Sequence, residues 1–435
     1  MTTIVIRGGH VLDPGRFNGT ADLVVEKGVI TALGESAGKA YERTSSLDLR
    51  LIDARGKLVV PGFIDLHVHL REPGYEYKET VQTGVESAVA GGFTTVCCMP
   101  NTSPVNDHQS VTELILDRAR TAGLARVLPI GAITKGSKGE ELAEIGELHR
   151  AGCIGISDDG RPVMNSQVMR RAMEYSRAFD VPVVDHCEDL SLSEGGCMHE
   201  GFVSTRLGLQ GVPAAAEEVM VARDLQLAEL TGARLHLAHL STLGSVRMVR
   251  DAKARGLRVT AEACPHHFML TDEAVVGYNT AAKMNPPLRT WQDVLALREG
   301  LRDGTIDAIA TDHAPHAAQE KQQEFAAAPN GVVGLETALS LTLSLVEEGL
   351  LSMERAVTLL SAGPAKAFGI AGGTLNIGGP ADVTIIDPAA AWEVDPARLK
   401  SKSRNTPFAG WKVKGRALYT IVGGRVAFEL NGDAR

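Results

Sequence analysis

His67 and His69 stand two residues apart at the end of an apolar run, VPGFIDLHVHLREPG, which covers residues 60–74. In an extended strand, residues two apart project to the same side, so the two imidazoles face one way. Two neutral imidazoles on one face make half of a metal site. More donors gather downstream in short clusters: Asp158 and Asp159; Asp185, His186, Glu188 and Asp189; His236 and His239; Asp312, His313 and His316. Each cluster alone has an ordinary explanation, because acids and histidines are common at helix N-caps and in loops. Together they supply nitrogen and carboxylate ligands, a set that suits Zn²⁺ in an open, catalytic site.

A repeating pattern positions these clusters. Apolar, strand-like runs lie near 60–69, 94–100, 126–133, 153–157, 181–186, 233–240, 257–264 and 306–311. Helical patterns follow at about 79–91, 107–122, 140–151, 166–179, 214–231, 243–255, 290–303 and 334–349. Eight such units in a row predict an α/β fold, a (β/α)₈ TIM-type barrel, whose active site lies at the carboxyl ends of the strands. The clusters fall at the ends of strands 1, 4, 5, 6 and 8. A ninth helical segment, 353–368, is expected to pack outside. Residues 1–57 read as short strands with tight turns (TIVIRGG, HVLDPG, ADLVVEKG, VITALG), and the tail has the same texture in ADVTIIDP and ALYTIVGGRVAFEL. The expected division is a composite β domain from 1–57 and 372–435 around a catalytic barrel over 58–371.

Composition narrows the function. A net charge of −9 with no Lys/Arg-rich block argues against nucleic acid as the main partner, while leaving room for a local cationic pocket and a small anionic substrate. No run of about eighteen apolar residues is present, so no membrane span is expected. The start, MTTIVIRGGHVLDPG, lacks the pattern of a signal peptide. The six cysteines show no CxxC spacing and fit reduced thiols in a cytoplasmic protein, with Cys97 and Cys98 in the core.

The stretches GFIDLHVHLREPG, TTVCCMPNT, SDDG, DHCED, HLAHLST and ATDHAPH resemble the amidohydrolase superfamily and, within it, the longer bacterial dihydroorotases. The resemblance covers nearly the whole chain. It implies a zinc-dependent cyclic amidohydrolase, with one or two ions per chain, that interconverts dihydroorotate and N-carbamoyl-L-aspartate in pyrimidine synthesis. It implies that His67 and His69 with Asp312 hold a first metal, and that His186 and His239 hold a second. Many relatives bridge the two ions with a carboxylated lysine, but no lysine lies between Lys138 and Lys253. The longer bacterial enzymes place an aspartate there; Asp159 matches it by its distance from His186, and Asp158 is its competitor. Asp312 is the expected catalytic proton shuttle. His69, Arg71, Asn101, Asn285, His316, Asn330 and Gly331 are the expected substrate contacts, with Arg71 as the partner of a substrate carboxylate.

The remaining histidines sort by context. His236 is three residues from His239 and faces the other way, so it reads as packed behind the site. His10, His108, His149 and His199 read as surface residues, His313 as structural, and His266 and His267 have no assigned role. Residues 316–334 lack apolar periodicity and read as a long, mobile loop over the mouth. Relatives often carry a Phe-Gly pair there, where this chain has Asn330 and Gly331. Two other readings are weighed: a hydantoinase- or allantoinase-like cyclic amidase, and a non-catalytic barrel partnering aspartate transcarbamoylase. The missing strand-4 lysine counts against the first, and the full set of candidate ligands against the second. A homodimer and a transcarbamoylase association are both compatible with the resemblance.

Overall fold

The computed structural model describes residues 3–35, 37–39 and 49–430. Through the middle of the chain, strands Phe63–Val68, Phe93–Cys98, Arg126–Pro129, Val183–Asp185, Leu235–Leu237, Val259–Ala263 and Ala308–Ile309 pair in parallel as two arcs. The expected strand at 153–157 is reduced to bridges made by Ile156, to Gly131 on one side and Val183 on the other, and these join the arcs. Its ladder stops there because the Asp158 carboxylate accepts the Ile133 and Thr134 N–H groups at 2.8 and 3.1 Å. A Val68–His313 bridge closes the opposite seam. The result is the TIM-type barrel that the alternation predicts. Helix Ala362–Phe368 packs against the first and last barrel strands, and Phe368 meets His236 edge-on at 4.8 Å. No helix among the described residues is long and apolar enough to cross a membrane.

Both ends of the chain build one sheet. Its order is Arg425–Glu429, Lys412–Val422, Val383–Glu393, Leu58–Pro61, Thr3–Asp13, Phe17–Glu26, Val29–Gly34, with Leu49–Asp53 also pairing Thr3–Asp13. TIVIRGG and HVLDPG are one strand with a register shift between Ile6 and Gly9, where Gly8 takes a φ of 63°.

Residues 60–69 read as a single strand, but the structure divides them. Leu58–Pro61 belongs to the terminal sheet, and Phe63–Val68 is the first barrel strand. Gly62 is the joint. A Cβ there would lie 2.3 Å from Thr94 Cγ2 and 2.4 Å from its Oγ1, so the barrel's second strand occupies the space of a side chain. Gly62→Ala should therefore cost about 1–3 kcal/mol through overpacking. Gly19→Ala, whose nearest contact would be Phe17 at 3.8 Å, should shift stability by no more than about 1 kcal/mol. Denaturant unfolding of the two variants checks the contrast; equal losses would show that Gly62 is not a packing constraint.

Candidate active site

The first barrel strand is tied to the last by a buried carboxylate. Asp65 accepts His67 N–H at 3.1 Å, Thr311 N–H at 3.1 Å and the Thr311 hydroxyl at 2.6 Å. Burial raises its carboxyl to about 6 in spite of these donors. The clasp sets His67 and His69 opposite Asp312. The backbone at Arg71, His239 and Asp312 has φ of 63°, 29° and 45°, which side chains rarely adopt, so the mouth concentrates strain at three of the expected site residues.

Donor atoms of His67, His69 and Asp312 lie within 4.8 Å of one another, as do those of His67, Asp159 and His239. His186 adjoins them, with Nδ1 3.0 Å from His239 Nε2 and 3.8 Å from Asp159 Oδ1. Three of the histidines direct one ring N–H outward: His67 Nδ1 to Glu262 at 2.9 Å, His69 Nδ1 to the Asn101 oxygen at 2.8 Å, and His186 Nε2 to Glu188 at 2.9 Å. The other nitrogen, a lone pair on a neutral ring, then points inward. His67 Nε2 faces Asp159 at 3.3 Å, and His69 Nε2 faces Asp312 at 2.9 Å. Lone pairs aimed at carboxylates repel unless a cation lies among them. Consistently, His67 Nε2, Asp159 Oδ1 and His239 Nδ1 are buried with no hydrogen-bond partner. The donor set fits a divalent metal.

Charge at this centre follows from crowding. Burial opposes ionisation of Asp159, yet positive charge among the ring nitrogens, here a second proton on the imidazoles, lets His67, His239 and His69 hold it well below the ordinary carboxylate range. Asp312 is likewise held low, against burial, once the imidazoles carry a second proton: His69 Nε2–H then donates to it and the neighbouring rings add positive charge. Glu188, despite burial, is held at about 2 by the His186 hydrogen bond and charge.

Two acids without an assigned role in the sequence reading, Glu262 and the strand-end Glu188, do the orienting. Glu262 is fully buried and accepts His67 Nδ1–H, His236 Nε2–H at 3.0 Å and His239 N–H at 3.3 Å. Burial would raise its carboxyl, but the bonds from His236 and His67 hold it at about 2. The signal was present: a glutamate inside the barrel strand VTAEA is an acid where apolar residues dominate. Glu188 fixes His186 from outside, with Asn285 Nδ2 donating to it at 2.7 Å. Asp158 and Asp159 now part. Asp158 is turned to the backbone of 133–134 and to the Thr134 hydroxyl, while Asp159 faces the histidines.

The expected substrate contacts fall into two groups. Asn101 bridges His69 and Asp159, with Nδ2 3.2 Å from Asp159 Oδ2, and Asn285 sits on Glu188, so both support the histidines. Both nitrogens of His69 are engaged as well. Arg71 differs. Its Nε donates to Pro315 O at 3.2 Å, and the neighbouring acid, Glu72, is occupied elsewhere, by Arg118 at 3.1 Å and Val81 N–H at 2.9 Å. His316 donates Nε2–H to Asn330 O at 2.7 Å, and burial with the charges of Arg71 and Lys78 lowers its pKa to about 2, so the ring is neutral. Asn330 reaches the mouth through its carbonyl and Gly331 through its backbone; the Asn330 side chain is exposed.

Three expectations change. Residues 316–334 are not a free loop: Lys321 and Phe325 are buried, and the segment is tied to 280–283 by Lys321 Nζ, which donates to Thr280 O and Lys283 O, and by Gly331 N–H on Lys283 O. The loop's polar sequence hides this because its partners are carbonyls of a distant segment. His199 is buried, not on the surface, and accepts from Arg289 at 3.2 Å. The tail, expected only in the β domain, reaches the mouth, where Asn405 donates to Ala314 O and Gly331 O, both at 3.0 Å, and accepts His316 N–H at 3.0 Å.

Residues 56–245 match the family model described as Dihydro-orotase-like, and 212–428 match the Amidohydrolase family. The dihydroorotase of Anaeromyxobacter dehalogenans is 59% identical over 429 residues, covering 98% of both chains. That of Syntrophotalea carbinolica is 57% identical over 429 residues, covering 98% of this chain and 99% of the other. Among solved structures, the L-hydantoinase (dihydropyrimidinase) from Arthrobacter aurescens aligns with a TM-score of 0.87 at 26% identity, over 99% of this chain and 96% of that one. The barrel is thus shared with hydantoinases, while identity above one half over almost the whole length is shared with dihydroorotases, so this chain belongs to the dihydroorotase family of amidohydrolases.

Proposed function

We propose that the chain catalyses the reversible hydrolysis of dihydroorotate to N-carbamoyl-L-aspartate, with zinc held by His67, His69, Asp159, His186, His239 and Asp312. The observation that carries the substrate reading is Arg71: a half-buried guanidinium at the mouth whose sequence neighbour Glu72 is paired with Arg118 instead. Asp312, Asp159 and Glu320 act on it from a distance, and a substrate carboxylate supplies the direct partner, by charge-assisted hydrogen bonds. A divalent ion bound in such a site lowers the pKa of water and polarises a carbonyl.

The protein's own part is positioning and proton transfer. Arg71 holds the substrate carboxylate and so places the ring amide against Asp159 and Asp312. Asp312, kept anionic, takes the proton of the attacking water as its oxygen adds to the ring carbonyl carbon. The C–N bond then breaks, and Asp312 returns the proton to the departing nitrogen. Glu262, Asn101 and Glu188 keep His67, His69 and His186 from rotating out of place. The reverse reaction uses the same residues with the proton moving the other way.

Activity on dihydroorotate, hydantoin and allantoin, measured beside elemental analysis, tests the reading. Hydrolysis of dihydroorotate with zinc present is expected, and a preference for hydantoin would replace it with the hydantoinase-like reading that the shared barrel suggests. Asp159→Ala should lose metal and activity together. Asp158→Ala should keep its metal but lose about 1–3 kcal/mol of stability, because buried backbone donors lose their acceptor; metal stoichiometry and thermal melting separate the two, and metal loss in the second variant would move the ligand to Asp158. Arg71→Met should lower kcat/KM about ten- to hundredfold, from about 1.5–3 kcal/mol of charge-assisted bonding. Its metal content should not change, and a ring analogue without the carboxylate should lose little. Equal losses on both substrates would make Arg71 structural.

A further inference from the structure

Two lysines lie buried beside the mouth without an acid to pair with. Lys321 is 8% exposed, and its Nζ donates to the carbonyls of Thr280 at 3.0 Å, Lys283 at 3.1 Å and Pro329 at 2.8 Å. Lys283 is 5% exposed, and its Nζ donates to Ala326 O at 2.9 Å and Ala328 O at 2.6 Å, 5.5 Å from the Phe325 ring centroid. The adjacent acid, Glu320, is taken by Lys78 Nζ at 2.9 Å and the Tyr77 hydroxyl at 3.2 Å. Burial and the neighbouring Lys283 lower Lys321 to about 7, so the seated loop and the charged lysine oppose one another, and the three carbonyls are what hold the ion. Apolar side chains would fill such a space at less cost, so packing alone does not account for two ammonium groups here.

The loop they hold ends on the expected substrate side. The Lys283 carbonyl that receives Lys321 also accepts Gly331 N–H at 2.9 Å. Gly331 is wedged at the mouth: with φ 134°, a Cβ there would lie 2.8 Å from Ala314 Cβ and 3.1 Å from His316 Cδ2. The Asn330 carbonyl takes the Nε2–H of His316 at 2.7 Å, which leaves Nδ1 as the lone-pair nitrogen, 3.4 Å from Lys78 Nζ. Arg71 NH2 lies 3.4 Å from His316 Nε2. That nitrogen already carries its hydrogen toward Asn330, so it cannot accept from Arg71, and beyond the Nε–H given to Pro315 O the guanidinium's terminal hydrogens stay available.

We propose that Lys321, with Lys283, is a positioning residue for substrate binding: the two ammonium groups seat residues 326–331, Lys283 on Ala326 O and Ala328 O and Lys321 on Pro329 O and the Lys283 carbonyl that also takes Gly331 N–H, the Asn330 carbonyl fixes His316, and Arg71 is left open to an anionic substrate. This rests on Arg71 as the carboxylate partner. It places the lysine two steps away from the substrate, with its effect carried entirely by the loop.

The test uses the metal-loaded, full-length enzyme. Lys321→Met should raise KM for dihydroorotate about tenfold or more, with kcat changed less than about threefold, on the reasoning that lost uniform binding appears in KM. Metal content should be unchanged, and a neutral ring analogue should show no shift in KM. Lys321→Arg, which keeps the charge, should recover most of the loss. Amide exchange of residues 326–331 should quicken in Lys321→Met independently of any substrate. If that variant is insoluble, Lys321→Gln takes its place with the same expectations. Unchanged KM, or equal losses on the acidic and neutral substrates, would overturn the proposal. A wild-type enzyme inactive on dihydroorotate would instead defeat the functional reading, and the exchange measurement would then decide alone whether Lys321 seats the loop.

Discussion

Closure of the barrel through Asp65 is the constraint on which the site depends. A parallel barrel has one seam where the first strand meets the last, and here regular pairing at that seam is short. The ladder of Ala308–Ile309 runs to Val259–Ala263, and toward the first strand the described residues show a single bridge, Val68 to His313. Asp65 adds three hydrogen bonds at that point, two of them to Thr311 on the far strand. Bonds to a charged acceptor are worth about 1.5–3 kcal/mol each. Their greater effect is geometric, since His67, His69 and Asp312 come from opposite ends of the barrel sequence and meet only if that seam keeps its register.

The second constraint is the handling of buried charge. Asp159, Asp312 and Glu262 sit where an isolated carboxylate would lose its proton only with difficulty. Each is surrounded by histidine nitrogens or by backbone and side-chain donors, and each is held below the ordinary carboxylate range. The outer ring of Glu262, Asn101 and Glu188 fixes which nitrogen of His67, His69 and His186 turns inward. The site is therefore a set of lone pairs and carboxylates held in one orientation before any ion arrives, which is the usual logic of metal ligation supported from behind.

Much of this was legible in the residues. The alternation of apolar runs and helical patterns predicted the barrel because strand and helix periods differ and repeat. The strand-end clusters predicted the histidines that converge, because a barrel gathers its strand ends at one face. What escaped depended on distance in sequence or on register. Asp158 and Asp159 are neighbours of the same type, and only the bend after Ile156 shows which one meets the histidines. Glu262 could have been noticed as an acid in an apolar strand, but its three partners come from the first and sixth strands. His199 looked exposed because it has no strand-end context; it is buried, and its partner Arg289 lies ninety positions away. The loop at 316–334 looked free because its partners are carbonyls, which no side-chain pattern reveals.

The reach of Asn405 into the mouth has a consequence for how the enzyme is made. Asn405 ties the loop carbonyl of Gly331 to Ala314 and receives His316 N–H, yet it lies far beyond the last barrel helix in the chain. A nascent chain can close its barrel and bring every candidate metal-binding side chain together while these tail residues are still inside the ribosome. At that stage the substrate side of the mouth lacks its brace. The order of residues along the chain thus lets the centre assemble before its rim is complete, and a chain halted between the two would hold the ligands of an enzyme without its finished entrance.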